Sequence, residues 1–182
     1  AWLLENVLVV AAALMLWRAQ RTEPLRDSTC WALFVFGVLH AIGSHYTYSQ
    51  VPYGDWLSII AGDGLVPRLV GERNHFDRLV HFGYGLLCTP LFSELLARVV
   101  SARTRLWSAL LPLGVIMSTS MLYELIEWAA AESFGAGLGQ AFLGTQGDVW
   151  DAHKDMALAS LGSLITLAWL AARGGLPAAR TV

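Results

Sequence analysis

Five stretches of the chain are long and mostly apolar, and polar residues gather at their ends. They run from about Trp2 to Trp17, Cys30 to Tyr46, Phe76 to Ala97, Leu106 to Ala130 and Ala152 to Ala172. A helix rises about 1.5 Å per residue, so crossing a hydrocarbon core about 30 Å thick takes roughly 20 such residues. The pattern predicts an all-α fold, a polytopic transmembrane helix bundle with about five spanning helices. Residues 1–182 read as a single integral membrane domain. Trp2, Trp17, Trp31, Trp107, Trp128, Trp150 and Trp169 fall at or near the predicted ends, where an interfacial aromatic belt places them. The first stretch lacks a basic leader and a small-residue cleavage site, and Arg18 and Arg21 follow it, so it reads as a spanning helix rather than a signal peptide. Because Ala1 stands beside this stretch, a sixth helix is expected to be missing before Ala1.

Composition sharpens this picture. The 182 residues are 55% hydrophobic and 14% charged, with eight Trp and a mean hydropathy of +0.51. A soluble domain carries about 25% charged residues, so the balance points to lipid. With a net charge of −2 and no basic face, the chain is not expected to bind nucleic acid. Cys30 and Cys88 lie in separate predicted helices and are expected to be packing residues. Orientation follows from the arginines. Arg18, Arg21 and Arg26, then Arg98, Arg103 and Arg105, then Arg173 and Arg180 fall in segments that alternation puts on one side, expected to be the cytoplasm. The other side carries two long loops, 47–75 and 131–151. In the first, Trp56 to Ile60 is short and apolar enough to lie in the interface; the second is rich in glycine, with Gly135, Gly137, Gly139, Gly144 and Gly147. The Gly-x-Gly-x-Gly here reads as a turn, because no strand precedes it.

The polar residues within the apolar stretches form four clusters. His40, Ser44, His45 and Tyr48 close the second helix, and His75, Asp77 and His81 open the third. Glu124 and Glu127 lie near the end of the fourth, while Asp148, Asp151, His153 and Asp155 open the fifth. The end of one spanning helix and the start of the next share a side of the membrane, so all four clusters converge at the outer face. Asp77, His81, Tyr84 and Cys88 share one helix face, Ser120, Glu124 and Glu127 a second, and Asp148, Asp151 and Asp155 a third. His40 and His45 are roughly 140° apart on an ideal helix, so one of them aims inward; His45, nearer the other clusters, is the expected one.

Carboxylates gathered at one face raise one another's pKa unless they are protonated, paired or bound to a cation. Arg73, Arg78 and Lys154 are available for pairing. Carboxylates with one or two imidazoles suit Zn, Mn or Fe, and an all-oxygen subset suits Mg or Ca. Two metals, the arrangement that activates water or a phosphoryl group, are within reach of this set. The expected metal ligands are His45, His81, Glu124, Glu127, Asp148 and Asp151, for a divalent metal such as Zn, Mn, Fe or Mg. Asp77 and Asp155 are the expected catalytic groups, as general base or ligand-orienting carboxylates. The same acids also suit helix N-termini, where a negative charge is stabilised by about 0.3–1 kcal/mol.

The motifs His40-Ala-Ile-Gly-Ser-His-Tyr-Thr-Tyr48, Val51-Pro-Tyr-Gly-Asp-Trp56, Asn74-His-Phe-Asp-Arg-Leu-Val-His81, Tyr123-Glu-Leu-Ile-Glu-Trp128 and Gly144-Thr-Gln-Gly-Asp-Val-Trp-Asp151, followed by Lys154-Asp155, resemble the bacterial inner-membrane YjdF family over nearly the whole chain. The order Asp-x-x-x-His, Glu, Gln-x-Asp-x-x-Asp is also similar to the broader VanZ-like group, associated with teicoplanin resistance. The first resemblance implies a multi-pass protein of the inner (cytoplasmic) membrane with about six helices; neither implies a reaction. Three functional classes therefore stand side by side. One is a metal-dependent enzyme acting on a lipid or lipid-linked substrate. Another is a cation or small-ligand binding or transport protein. The third is a structural subunit whose polar network sets helix register. Membrane lipids are the expected partners in each.

Overall fold

A computed structural model describes residues 2–62, 73–100, 102, 104–134 and 144–176. Six helices account for most of them: α1 Trp2–Thr22, α2 Asp27–His45, α3 Tyr53–Ala61, α4 Phe76–Val99, α5 Arg105–Phe134 and α6 Asp151–Ala172. No strand occurs among the described residues. Helices α2, α4, α5 and α6 are each long and apolar enough to cross a membrane, and α1 adds the shorter apolar run Val9–Arg18. The chain is a helical membrane bundle. Short α3 lies within the 47–75 loop. Gly135, Gly137 and Gly139 fall outside the described residues, as do 63–72.

Acids occupy the first turns of α2, α4 and α6 (Asp27, Asp77 and Asp151), where they meet the positive end of the helix dipole. The bundle is arranged around α4, which packs most extensively on α6 and also on α2 and α5; α1 touches α2. Leucine, isoleucine and valine side chains of α2, α5 and α6 largely face outward, as lipid requires. Trp17, Trp31, Trp107, Trp128, Trp150 and Trp169 are all exposed. Arg21 stacks 3.9 Å from the Trp17 ring and Arg173 4.7 Å from Trp169, a cation–π pairing suited to a headgroup zone.

Helices α4 and α6 meet backbone to backbone. A Cβ on Gly85 would stand 1.8 Å from the carbonyl oxygen of Ala159, and one on Gly162 2.3 Å from that of Phe82. Small residues permit this approach, the usual means of helix association where lipid removes the hydrophobic drive. Hydroxyls fill the remaining polar needs. Thr89 Oγ1 donates to the Gly85 carbonyl (2.5 Å) and pairs with Ser163 Oγ at 2.8 Å. Pro90 has no N–H for the carbonyl of Leu86, four residues earlier; Thr166 Oγ1 of α6 donates to that carbonyl instead, at 2.6 Å.

The ends of the helices away from the polar clusters are tied by Glu94 of α4. Its Oε2 accepts the backbone N–H of Arg26 at 3.2 Å, and Oε1 accepts Thr29 Oγ1 at the start of α2. Arg98 donates to the carbonyls of Glu23 (2.8 Å) and Pro24 (3.2 Å). Cys30 and Cys88 are both free thiols; Gln20 Nε2 donates to Cys30 Sγ at 3.2 Å.

Candidate functional site

At the end of the bundle where the polar clusters gather, the first turns of α4 and α6 stand side by side, held by the tight crossing one to two turns further along. Asp77 and His81 are a turn apart on α4, with His81 Nε2 3.7 Å from Asp77 Oδ1. The same nitrogen lies 3.3 Å from Glu124 Oε1 on α5. Asp155 of α6 faces both α4 residues. One ligand atom from each of Asp77, His81 and Asp155 lies within 4.8 Å of the other two, and all three residues are buried. Ligand atoms about 2.1 Å from a shared cation stand roughly 3.0–3.5 Å apart, so small side-chain movements bring this trio into range. Asp155 Oδ1, Glu124 Oε1 and Ser120 Oγ are buried with no hydrogen-bond partner among the described residues. Orphaned acceptors in a low-dielectric interior are costly, and they fit a cation or a donor-rich ligand.

Asp148 and Asp151 lie beside this group and are occupied differently. Arg73 Nη2 donates to Asp151 Oδ1, and Arg78 Nη2 donates to Asp148 Oδ2 (2.5 Å) and Asp151 Oδ1 (3.2 Å). Lys154 Nζ donates to Asp148 Oδ2 at 2.6 Å, and the Trp150 N–H to Asp148 Oδ1 at 3.1 Å. The lysine, that backbone N–H and the Arg78 guanidinium hold the Asp148 carboxyl well below the usual carboxylate range.

Three loop segments roof the site. Asn74 accepts and donates in a reciprocal pair with the Gln146 amide: Asn74 N–H to Oε1, and Nε2 to the Asn74 carbonyl, both 2.9 Å. Asn74 Nδ2 donates to the Val51 carbonyl (2.7 Å), and the His75 N–H to Tyr53 Oη (2.8 Å). Arg73 Nη1 donates to the Thr145 carbonyl at 2.5 Å. Gly144, at φ +60°, turns the chain so that its backbone packs over Asp77: a Cβ there would lie 3.8 Å from Oδ2.

Among the expected site residues, the structure brings Asp77, His81, Asp155 and Glu124 together, with Glu127 buried one turn beyond Glu124. It gives Asp148 and Asp151 to arginine and lysine, because Arg73 enters from the roof and Arg78 lies on α4 beside the α6 N-terminus. It also reverses the choice between the two histidines. His40 is buried and His45 exposed, because α2 packs on α4 through the face carrying Phe36, His40 and Gly43. His45 instead stacks edgewise on Tyr46. His40 Nδ1 lies 2.7 Å from Tyr48 Oη, whose ring folds back over Gly43. His153 is exposed. Asn74 and Gln146 both stand in motifs that carried the family resemblance, but their pairing was not legible, since an amide in a loop shows neither period nor metal-ligand spacing.

The family comparison bears on this arrangement. A family model described as "Predicted membrane protein (DUF2238)" matches residues 1–175, the segment that holds every residue of the site. The chain belongs to that family. The DUF2238 chain is also 36% identical over 174 residues to "Inner membrane protein YjdF" of Escherichia coli (strain K12), covering 93% of this chain and 77% of that protein. No solved structure matches. This DUF2238 member is thus a multi-pass protein of the bacterial inner membrane.

Proposed function

We propose that the outer-face site binds a divalent metal through Asp77, His81 and Asp155 and uses it to act on a lipid or lipid-linked substrate. The observation that carries the reading is the trio itself: one imidazole and two carboxylates from two helices, buried, with ligand atoms within 4.8 Å and an Asp155 oxygen left without a hydrogen-bond partner among the described residues. Three protein ligands and an open position are the pattern of a catalytic rather than a structural metal site. Glu124 borders that opening, 3.3 Å from His81 Nε2. One imidazole among carboxylates suits Zn, Mn or Fe.

Depth supports the substrate class. Trp128, next to Glu127, and Trp150, next to Asp151, are exposed on the bundle exterior. Tryptophan marks the headgroup zone, which supports a site at the level of a lipid's polar end. A transport role would need a polar path inward. Most polar groups there are engaged instead: Glu94 ties α2 to α4, and Thr89, Ser163 and Thr166 serve the helix crossing, while Ser93 Oγ is buried with no hydrogen-bond partner among the described residues.

Elemental analysis of the detergent-purified full chain tests the reading, with wild type beside Asp77→Asn combined with Asp155→Asn. Near-stoichiometric Zn, Mn or Fe in wild type, lost in a variant of unchanged helicity and elution volume, is the expected result. Metal absent from wild type even after incubation with each ion would refute it and leave a hydrogen-bonded network that fixes helix register.

A further inference from the structure

Two arginines meet at the first turn of α6 with more donors than their partners take up. Arg73 and Arg78 both reach Asp151 Oδ1, Arg78 Nη2 at 3.2 Å, so their guanidinium groups stand side by side. Lys154 Nζ joins them, 2.6 Å from the Asp148 Oδ2 that Arg78 Nη2 also holds. Three cations thus face two carboxylates. Arg73 uses Nη1 for the Thr145 carbonyl and Nη2 for Asp151, while Arg78 makes both of its bonds through Nη2. Arg73 Nε and Arg78 Nε are buried with no hydrogen-bond partner among the described residues. A buried donor left unbonded is costly, and more so on a charged group. The two side chains keep 17% and 18% exposure, so each guanidinium can still be approached from outside. The carboxylates fix these cations in place without saturating them.

This cluster borders the buried trio. Arg78 follows Asp77 on α4, and Asp151 precedes Asp155 by one turn on α6. The Thr145 carbonyl that holds Arg73 comes directly after Gly144, whose Cβ position is 3.8 Å from Asp77 Oδ2. The N-terminus of α6 has no side-chain cap and adds the positive end of its dipole. We propose that Arg73, Arg78 and Lys154 form a subsite for a phosphate group, beside the trio of Asp77, His81 and Asp155. The donor set selects the ligand. Two guanidinium forks and an ammonium converge, and a phosphate presents several acceptor oxygens that can take both free Nε–H donors and the lysine together. A lipid headgroup and free phosphate share this chemistry.

The subsite deepens the reading above, resting on it for the chemistry but not for the binding, so the test is run in chelator, where no metal contributes. The full chain in dodecyl maltoside is titrated calorimetrically with three probes: dioleoyl phosphatidic acid in mixed micelles, dioleoylglycerol, which lacks only the phosphate, and inorganic phosphate. Saturable binding of one phosphatidic acid per chain, and none of dioleoylglycerol, is the expected result. Arg73→Gln and Arg78→Gln should each weaken it about tenfold or more, the fold-change that loss of a charge-assisted hydrogen bond brings. Lys154→Gln, at a half-exposed side chain, should weaken it as well. Arg173→Gln, at the far end of α6, should leave it unchanged. Inorganic phosphate binding as tightly as phosphatidic acid supports the subsite with free phosphate as its occupant; weaker binding assigns it to the lipid headgroup. Equal binding of dioleoylglycerol, affinity unchanged in the folded arginine variants, or affinity lowered as much by Arg173→Gln would overturn the subsite and leave the metal reading standing. Wild type that binds neither phosphate probe overturns it even where the variants fail to fold. Phosphatidic acid bound by a wild type that takes up no metal would sink the metal reading alone.

Discussion

Replacing Gly85 with alanine tests whether the helix crossing positions the site. The new Cβ would lie 1.8 Å from the Ala159 oxygen and 2.7 Å from its carbonyl carbon, against an ordinary contact of at least 3.4 Å. Neither obstacle is a flexible side-chain end, so α4 and α6 must separate there by about 1.6 Å, the gap between the first and last of those distances. Overpacking of this kind costs about 1–3 kcal/mol or somewhat more. Alanine recovers up to about 1 kcal/mol of helix propensity relative to glycine, which does not cancel it. At roughly 2–4 °C per kcal/mol for a chain of this size, the midpoint should fall by several degrees. His81 lies one turn outward from Gly85 and Asp155 one turn outward from Ala159, so the separation also draws Asp155 away from a group already spread over as much as 4.8 Å. Metal affinity should drop about 10- to 100-fold, the range seen when groups that orient metal ligands are lost. Thermal unfolding in detergent reads the first effect and metal titration the second. Gly37→Ala and Gly114→Ala are the controls, since a Cβ at either meets nothing within 4 Å. A Gly85→Ala protein as stable as these controls would refute the idea that this contact sets the helix spacing.

Three further outcomes follow from the same structure. Thr166→Val removes the donor to the Leu86 carbonyl and should cost about 1–2 kcal/mol; adding Pro90→Ala restores that carbonyl's backbone partner, so a double-mutant cycle should show the loss shrinking, and a cycle without coupling would contradict the assignment. Asp148 has a folded pKa below its unfolded one, so its contribution is intact above the ordinary carboxylate range near pH 4 and disappears as pH falls through that range and below; Asp148→Asn should flatten the acid side of the stability profile, measured by melting between about pH 3 and pH 6, and an unchanged acid limb would exclude this group. Gln146→Ala cuts both bonds to Asn74, so amides at 73–75 and 144–148 should exchange hydrogen faster while those of the α4 interior stay protected; equal protection would show that the roof is held by other contacts.

The sequence carries the bundle and the location of the site because both rest on simple regularities. Apolar runs of spanning length report the helices, and alternation of direction brings the polar ends of α2, α4, α5 and α6 to one side. The four-residue spacing of Asp77 and His81 survives directly as a shared helix face. Which acid meets which partner was not legible. Asp148 and Asp151 share a face with Asp155 on paper, yet Arg73 reaches the first turn of α6 from the roof, and Asp155, a turn further in, lies beyond it. The two histidines of α2 were equally opaque, because the packed face is chosen by Gly43 and by a chain reversal at Thr47 and Tyr48, both at positive φ. Gly85 and Gly162 gave no warning either: a glycine in an apolar run reads as a weak point until a neighbouring backbone is seen against it.

The Gly85–Ala159 and Gly162–Phe82 contacts divide the molecule into parts with very different room for change. Along α4 the positions Asp77, His81, Gly85, Thr89 and Ser93 recur every four residues, and along α6 Asp151, Asp155, Ala159 and Ser163 do the same. Ionisable groups at one end give way to the smallest residues and then to hydroxyls. Where two backbones touch, no side chain can be enlarged to reshape the polar cluster above them. New volume can therefore enter from α5, whose link to α4 runs through side chains such as the 2.6 Å Tyr84–Thr119 pair. Two sides of the cluster are fixed by what their residues lack, and the α5 side is where selection can act.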